Sequence, residues 1–71
     1  MDIRRQLGLS VKRIRKKHDW SQEELAFESG LHRTYISGIE RGARNPTVLV
    51  LEKLAGALKV APARLLEPPP K

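Results

Sequence analysis

The sequence predicts an all-α fold, a compact bundle of five short helices. Three observations carry this. No stretch alternates polar and apolar residues long enough to make a strand. Apolar residues recur at spacings of three and four along most of the chain. Capping residues such as Ser21 and Thr47, and stop glycines such as Gly30 and Gly42, cut that pattern into short pieces.

The first helix is expected from Asp2 to about Lys17. Leu7, Val11 and Ile14 mark its inward stripe, and Ile3 extends the stripe backward. Lys12, Arg13, Arg15, Lys16 and Lys17 crowd its C-terminal half, where the negative end of the helix dipole favours cations. Ser21 opens the second helix. Ser21 and Glu24 have the S-x-x-E spacing of a capping box, and Trp20 and Leu25 are placed as a hydrophobic staple across it. Gly30 stops this helix, because a stop position commonly needs the left-handed backbone that glycine adopts most easily. The third helix follows about two residues later, with His32 in the N-cap position. Leu31 and Ile36 repeat the staple spacing, Ile36 and Ile39 point inward, and Arg41-Gly42 ends the run.

Thr47 is the expected N-cap of the fourth helix. Leu51, Leu54, Ala55 and Leu58 form its core stripe, to which Val48 also fits by spacing. Four consecutive apolar residues, Val48 to Leu51, cover every face of a turn, so Leu49 and Val50 are expected outside the core. Pro62 starts a short fifth helix. Its N-cap would be Ala61, which has no capping group. Residues 1–66 form the expected domain, and 67–71 a proline-rich disordered tail.

The chain has 71 residues, with fourteen Lys and Arg against eight Asp and Glu, a net charge of +6. That balance points to a polyanionic partner, nucleic acid before membrane surface. The charge is segregated: residues 1–20 carry +5, residues 21–30 carry −3, and Arg33, Arg41 and Arg44 follow. There is no cysteine, hence no disulfide or thiolate metal site. His18 and His32 stand fourteen apart without partner ligands, so no metal is expected. No triad, metal spacing or phosphate loop marks an enzyme. No cofactor or small-molecule ligand is expected, and no membrane span or secretion signal is legible. The run Lys12 to Lys17 is read as a solvated helix end near DNA rather than a localisation signal.

Two short helices joined by a tight turn form a helix-turn-helix, here about residues 21–42. Ala26 is small where the two helices would cross, and Gly30 occupies the turn. Leu25, Leu31, Ile36 and Ile39 are apolar where the pair must pack, while Arg33, Thr34, Ser37 and Arg41 leave the outer face of the third helix polar. On Ser21 to Ala26, Gly30-Leu31, Tyr35 to Gly42 and Arg44 to Thr47, the chain closely resembles the phage-repressor (Cro-like, Xre-type) family of lambda-repressor-like DNA-binding domains. Leu31 to Ser37 resembles especially the controller proteins of restriction–modification systems.

The resemblance implies a dimeric, sequence-specific DNA-binding transcription regulator that places its third helix in the major groove of a palindromic operator, and its narrower part implies such a controller. Arg33, Thr34 and Ser37 would contact bases, with Arg33 suited to guanine. Arg15, Gln22, His32, Tyr35, Arg41, Arg44 and Asn45 would contact the DNA backbone. Glu40 would pair with Arg15. Gly38, unfavourable within a helix, reflects either close approach to DNA or close packing. A two-fold homodimer is expected through Leu49, Val50, Lys53 and Leu66. The expected location is cytoplasmic, in a bacterium or phage-infected cell and associated with the nucleoid. The competing reading is an antitoxin-type protein-interaction module that also represses its own promoter.

Overall fold

The structure, a computed structural model, describes residues 2–68. Five helices appear in the expected order: α1 (Ile3–Lys17), α2 (Gln22–Ser29), α3 (Arg33–Glu40), α4 (Val48–Leu58) and α5 (Pro62–Leu65). Among the described residues no helix is long and apolar enough to cross a membrane. The last three residues of the expected tail, 69–71, lie outside the described residues.

The local signals act as the sequence implies. Ser21 Oγ accepts from the Glu24 backbone N–H at 3.1 Å, and Glu24 Oε1 accepts from the Ser21 N–H at 2.9 Å. The capping box therefore satisfies two N–H groups that the first turn of α2 leaves without helical partners. Thr47 Oγ1 accepts from the Val50 N–H at 3.2 Å at the start of α4. Asp2 caps α1 through the Arg4 N–H at 2.8 Å. The hydrogen bond from the Arg4 side chain holds the Asp2 carboxyl down to about 2. Gly30 ends α2 at φ 74° and ψ 20°, the left-handed conformation. A β-carbon there would touch nothing, so backbone conformation and not space requires the glycine.

The core joins Leu7, Val11 and Ile14 of α1 to Leu25 and Ala26 of α2, Ile36 and Ile39 of α3, and Leu54, Ala55 and Leu58 of α4. Trp20 and Leu31 pack half-buried at its edge, as their staple positions require. Trp20 also stacks on the His18 ring at 4.6 Å between centroids. His18 Nε2 is hydrogen-bonded to the Leu58 carbonyl at 2.9 Å and so ties the end of α1 to the end of α4. α5 has no side-chain cap. Packing secures it instead, for Leu65 is fully buried. In addition, Gln6 Nε2 donates to the Leu66 carbonyl and Ser10 Oγ to the Glu67 carbonyl at 3.4 Å.

Three expectations are corrected. Ile3 is 60% exposed and does not extend the core stripe. It lines a shallow recess open to solvent, together with Leu7, Pro46, Leu51 and Leu66. Val48 is 80% exposed, although it precedes the buried Ala55 by two helical turns. Helical phase selects a direction, but burial needs a neighbour at that height, and Thr47, Val48 and Leu49 are all exposed at the first turn of α4. Val50, expected outside, is half-buried against the core.

Candidate nucleic-acid interface

α3 divides sharply. Ile36 and Ile39 are buried, while Arg33 and Thr34 are exposed and Ser37 is half-exposed on the opposite side. Arg41, one turn beyond Ser37, donates from its guanidinium to Ser37 Oγ at 2.7 Å. The three residues expected to read bases therefore share the outer part of one helix, with a cation at each end. His32 supplies the N-cap backbone geometry of α3, but its side chain makes no capping bond and its ring is exposed. Asn45 is exposed in the segment before α4.

Tyr35 and Arg44 meet on the flank of α3. The Arg44 guanidinium carbon lies over the Tyr35 ring at 5.4 Å from its centroid, a cation–π distance. The stem of Arg44 crosses Gly38: a β-carbon on Gly38 would sit 2.7 Å from Arg44 Cγ. Close packing thus accounts for the glycine. It lets the arginine lie flat along the helix and fixes where its charge is presented.

Behind the exposed face is a buried polar network. Arg15 Nε and Nη2 donate to Glu40 Oε2 and Oε1 at 2.7 and 3.0 Å, a bidentate pair whose side chains are 9% and 4% exposed. The remaining terminal nitrogen, Nη1, donates to the Trp20 carbonyl at 2.7 Å. The hydrogen bonds it donates to Glu40 push the Arg15 guanidinium further up from its ordinary value. The expected Arg15–Glu40 pair is present. Yet Arg15, expected at the DNA backbone, has its guanidinium turned inward. It clamps the end of α3 to the residue preceding the α2 cap.

Gln22 is likewise engaged internally. Its Nε2 donates to Glu40 Oε1 at 3.1 Å, and its Oε1 accepts from Arg33 Nη1 at 3.4 Å. A continuous path thus runs from the Trp20 carbonyl through Arg15, Glu40 and Gln22 to Arg33. The Arg15–Glu40 pairing was legible only through the family resemblance, and the Gln22–Arg33 contact had no sequence signal, because it joins residues eleven apart on two helices.

Of the residues expected at a dimer surface, Leu49, Lys53 and Leu66 are exposed and Val50 is not. Val48 joins the exposed set. The recess lined by Ile3, Pro46, Leu51 and Leu66, about 140 Å³, lies beside them.

A family described as helix-turn-helix matches residues 11–65. The control protein C.BamHI of Bacillus amyloliquefaciens is 52% identical over 67 residues, spanning 93% of this chain and 83% of that protein. The crystal structure of the hypothetical transcription factor NHTF from Neisseria is similar with a TM-score of 0.92 and 46% identity, covering 96% of this chain and 78% of that one. The restriction–modification controller C.Esp1396I, crystallised as a tetramer in complex with its natural 35 base-pair operator, is similar with a TM-score of 0.83 and 38% identity. That match covers 92% of this chain and 86% of the controller.

Proposed function

Because the chain belongs to the helix-turn-helix family, we propose that it is a transcription regulator that binds double-stranded DNA with α3 in the major groove. The observation that carries this is the face of α3. Arg33, Thr34 and Ser37 stand outward together, backed by a buried Ile36 and Ile39 and flanked by Arg41 and the Tyr35–Arg44 pair. Arg33 at the helix start reads a guanine edge, and Thr34 and Ser37 read its neighbours. Tyr35, Arg41, Arg44, His32 and Asn45 hold phosphates and set the register. Similarity to control proteins supports a restriction–modification controller acting in the bacterial cytoplasm, on the nucleoid.

Selection of binding sites from random DNA, followed by titration of variants, tests this reading. Arg33→Ala is expected to lower discrimination at one base position roughly 5- to 100-fold, the scale of a bidentate arginine–guanine contact. Arg44→Ala is expected to weaken all sequences nearly alike and to reduce the salt slope by about one. Base preferences that survive Arg33→Ala unchanged would mean that α3 does not read the groove as assigned.

The same reading requires a two-fold partner. With Val50 turned toward its own core, the apolar part of the dimer surface is Val48, Leu49 and Leu66 beside the recess, with Lys53 at its edge. An isologous pairing buries these side chains on both copies and presents two α3 helices roughly 34 Å apart, one turn of DNA. A Val48→Glu/Leu49→Glu variant is expected to sediment as a monomer at concentrations where the native protein is a dimer. A dimer unchanged by that variant would place the interface elsewhere.

A further inference from the structure

The flank of α1 that meets α3 carries positive charge beyond the contact. Arg5, Gly8, Lys12 and Arg15 follow one another at spacings of three, four and three, one broad stripe along the helix. Two of them make the contact: the carbonyls of Ile39 and Glu40 close on Gly8, and Arg15 pairs with Glu40. The other two, Arg5 and Lys12, are exposed. Around α1 the core residues Leu7, Val11 and Ile14 come first, then Gly8 and Arg15, then Arg5 and Lys12 on the edge away from the core. α3 likewise turns Ile36 and Ile39 to the core and Arg33 and Thr34 away from it. Arg5 and Lys12 therefore border the outer face of α3. Arg5 is also fixed in height. A β-carbon on Gly42 would lie 3.1 Å from Arg5 Cα and 3.3 Å from its backbone nitrogen, and Gly42 itself stands at φ 75°. The first turn of α1 is thus packed backbone to backbone against the turn that follows α3, between Arg41 and Arg44.

The charges on this edge are uncommitted. Arg4 is bonded to Asp2, Arg15 to Glu40 and Arg41 to Ser37. Among the described residues Arg5 and Lys12 enter no ion pair. We propose that Arg5, with Lys12 one stripe position further on, binds DNA phosphates that lie beyond the end of α3, so that the outer flank of α1 is part of the DNA-binding surface. This rests on α3 lying in the major groove, and it adds two cations from a helix outside the helix-turn-helix. A phosphate there neutralises charges that the protein itself leaves unpaired, and the contact of Arg5 with Gly42 fixes where the first of them stands relative to α3. A phosphate contact carries no base information. The effect should therefore fall on all DNA alike.

The test measures binding of the full chain to a selected operator and to scrambled duplex DNA across a salt series. Arg5→Gln and Lys12→Gln are each expected to lower the slope of log affinity against log salt by about 0.9, one released counterion. The affinity ratio of native protein to variant then widens about eightfold for each tenfold fall in salt. Operator and scrambled DNA are expected to lose equally, and Arg5→Lys, which keeps the charge, is expected to keep the slope. Lys17→Gln is the control. It removes the same charge from the same helix, but Lys17 shares the opposite stripe with Gln6 and Ser10, whose side chains hold the chain after α5. Its slope is expected to stay nearly native. An unchanged slope in Arg5→Gln overturns the proposal, and so do equal losses in Arg5→Gln and Lys17→Gln, which would show only diffuse net charge. Base preferences that survive Arg33→Ala while Arg5→Gln still lowers the slope would strike the assignment of α3 and leave the phosphate contact standing. A thermal melt of each variant separates loss of fold from loss of contact.

Discussion

Gly8→Ala is expected to destabilise the domain by about 3 kcal/mol or more, the upper range for overpacking a core. For a domain of this size that corresponds to a fall in melting temperature of roughly 12–24 °C. Gly8 is buried where α1 crosses α3, and a β-carbon there would lie 2.4 Å from the Ile39 carbonyl oxygen and 2.7 Å from that of Glu40. Both obstacles are backbone, so no side-chain rotation relieves the clash and the helices must separate. Separation would also move Glu40 away from Arg15 on the same two helices. Alanine is the better helix former by about 1 kcal/mol, so a loss of stability would oppose propensity and isolate the steric cause. A circular-dichroism melt checks it. A variant that melts at or above the native temperature would show that α1 and α3 do not approach this closely.

Glu40→Ala is expected to cost 3–5 kcal/mol, as does breaking other buried ion pairs by removing one partner. The substitution leaves the Arg15 guanidinium buried with two of its nitrogens unpaired, and it frees the Gln22 amide. Desolvation explains the size. An exposed pair of the same residues would contribute about 1 kcal/mol at most, and this one is almost wholly removed from water. The companion Arg15→Met/Glu40→Leu variant separates the two contributions. Replacing both charges with apolar groups is expected to restore much of the stability lost in Glu40→Ala, since no unpaired charge then remains. A chemical-denaturation series on these proteins checks both stabilities. A Glu40→Ala protein as stable as the native one would mean that the pair is solvated.

The legible part of the fold was its local part. The Ser21–Glu24 box, the Thr47 cap and the Gly30 stop each involve residues at most four apart, so their geometry follows from one turn of helix and a short stretch of sequence. The inward positions Leu7, Val11, Ile14, Ile36, Ile39, Leu54 and Leu58 follow from helical phase for the same reason, and all are buried. Phase failed at element ends. Ile3 and Val48 have inward phase but stand beyond the reach of a neighbouring helix, which no spacing within their own helix reveals. The outer face of α3 was legible as the polar complement of a phase correctly assigned. Behind it, the Arg15–Glu40 pair was legible only through the family resemblance, and the internal engagement of Gln22 was not legible, because a guanidinium or an amide is equally at home in solvent or in a network, and only its partners decide.

The sequence by itself therefore determined that five helices form, where most of them begin and end, and which face of α3 is offered outward with Arg33, Thr34 and Ser37. Those properties depend on contacts within a turn or across one cap. Only the tertiary structure decided that Gly8 is the point where α1 and α3 touch backbone to side-chain-free backbone, that Gly38 makes room for Arg44, that Val48 rather than Val50 stands exposed, and that Arg15, paired with Glu40 as expected, is turned inward and does not face out. Each of these joins residues on separate elements, such as the 25 positions between Arg15 and Glu40. Burial, steric exclusion and the pairing of charges are set by what arrives from elsewhere in the chain.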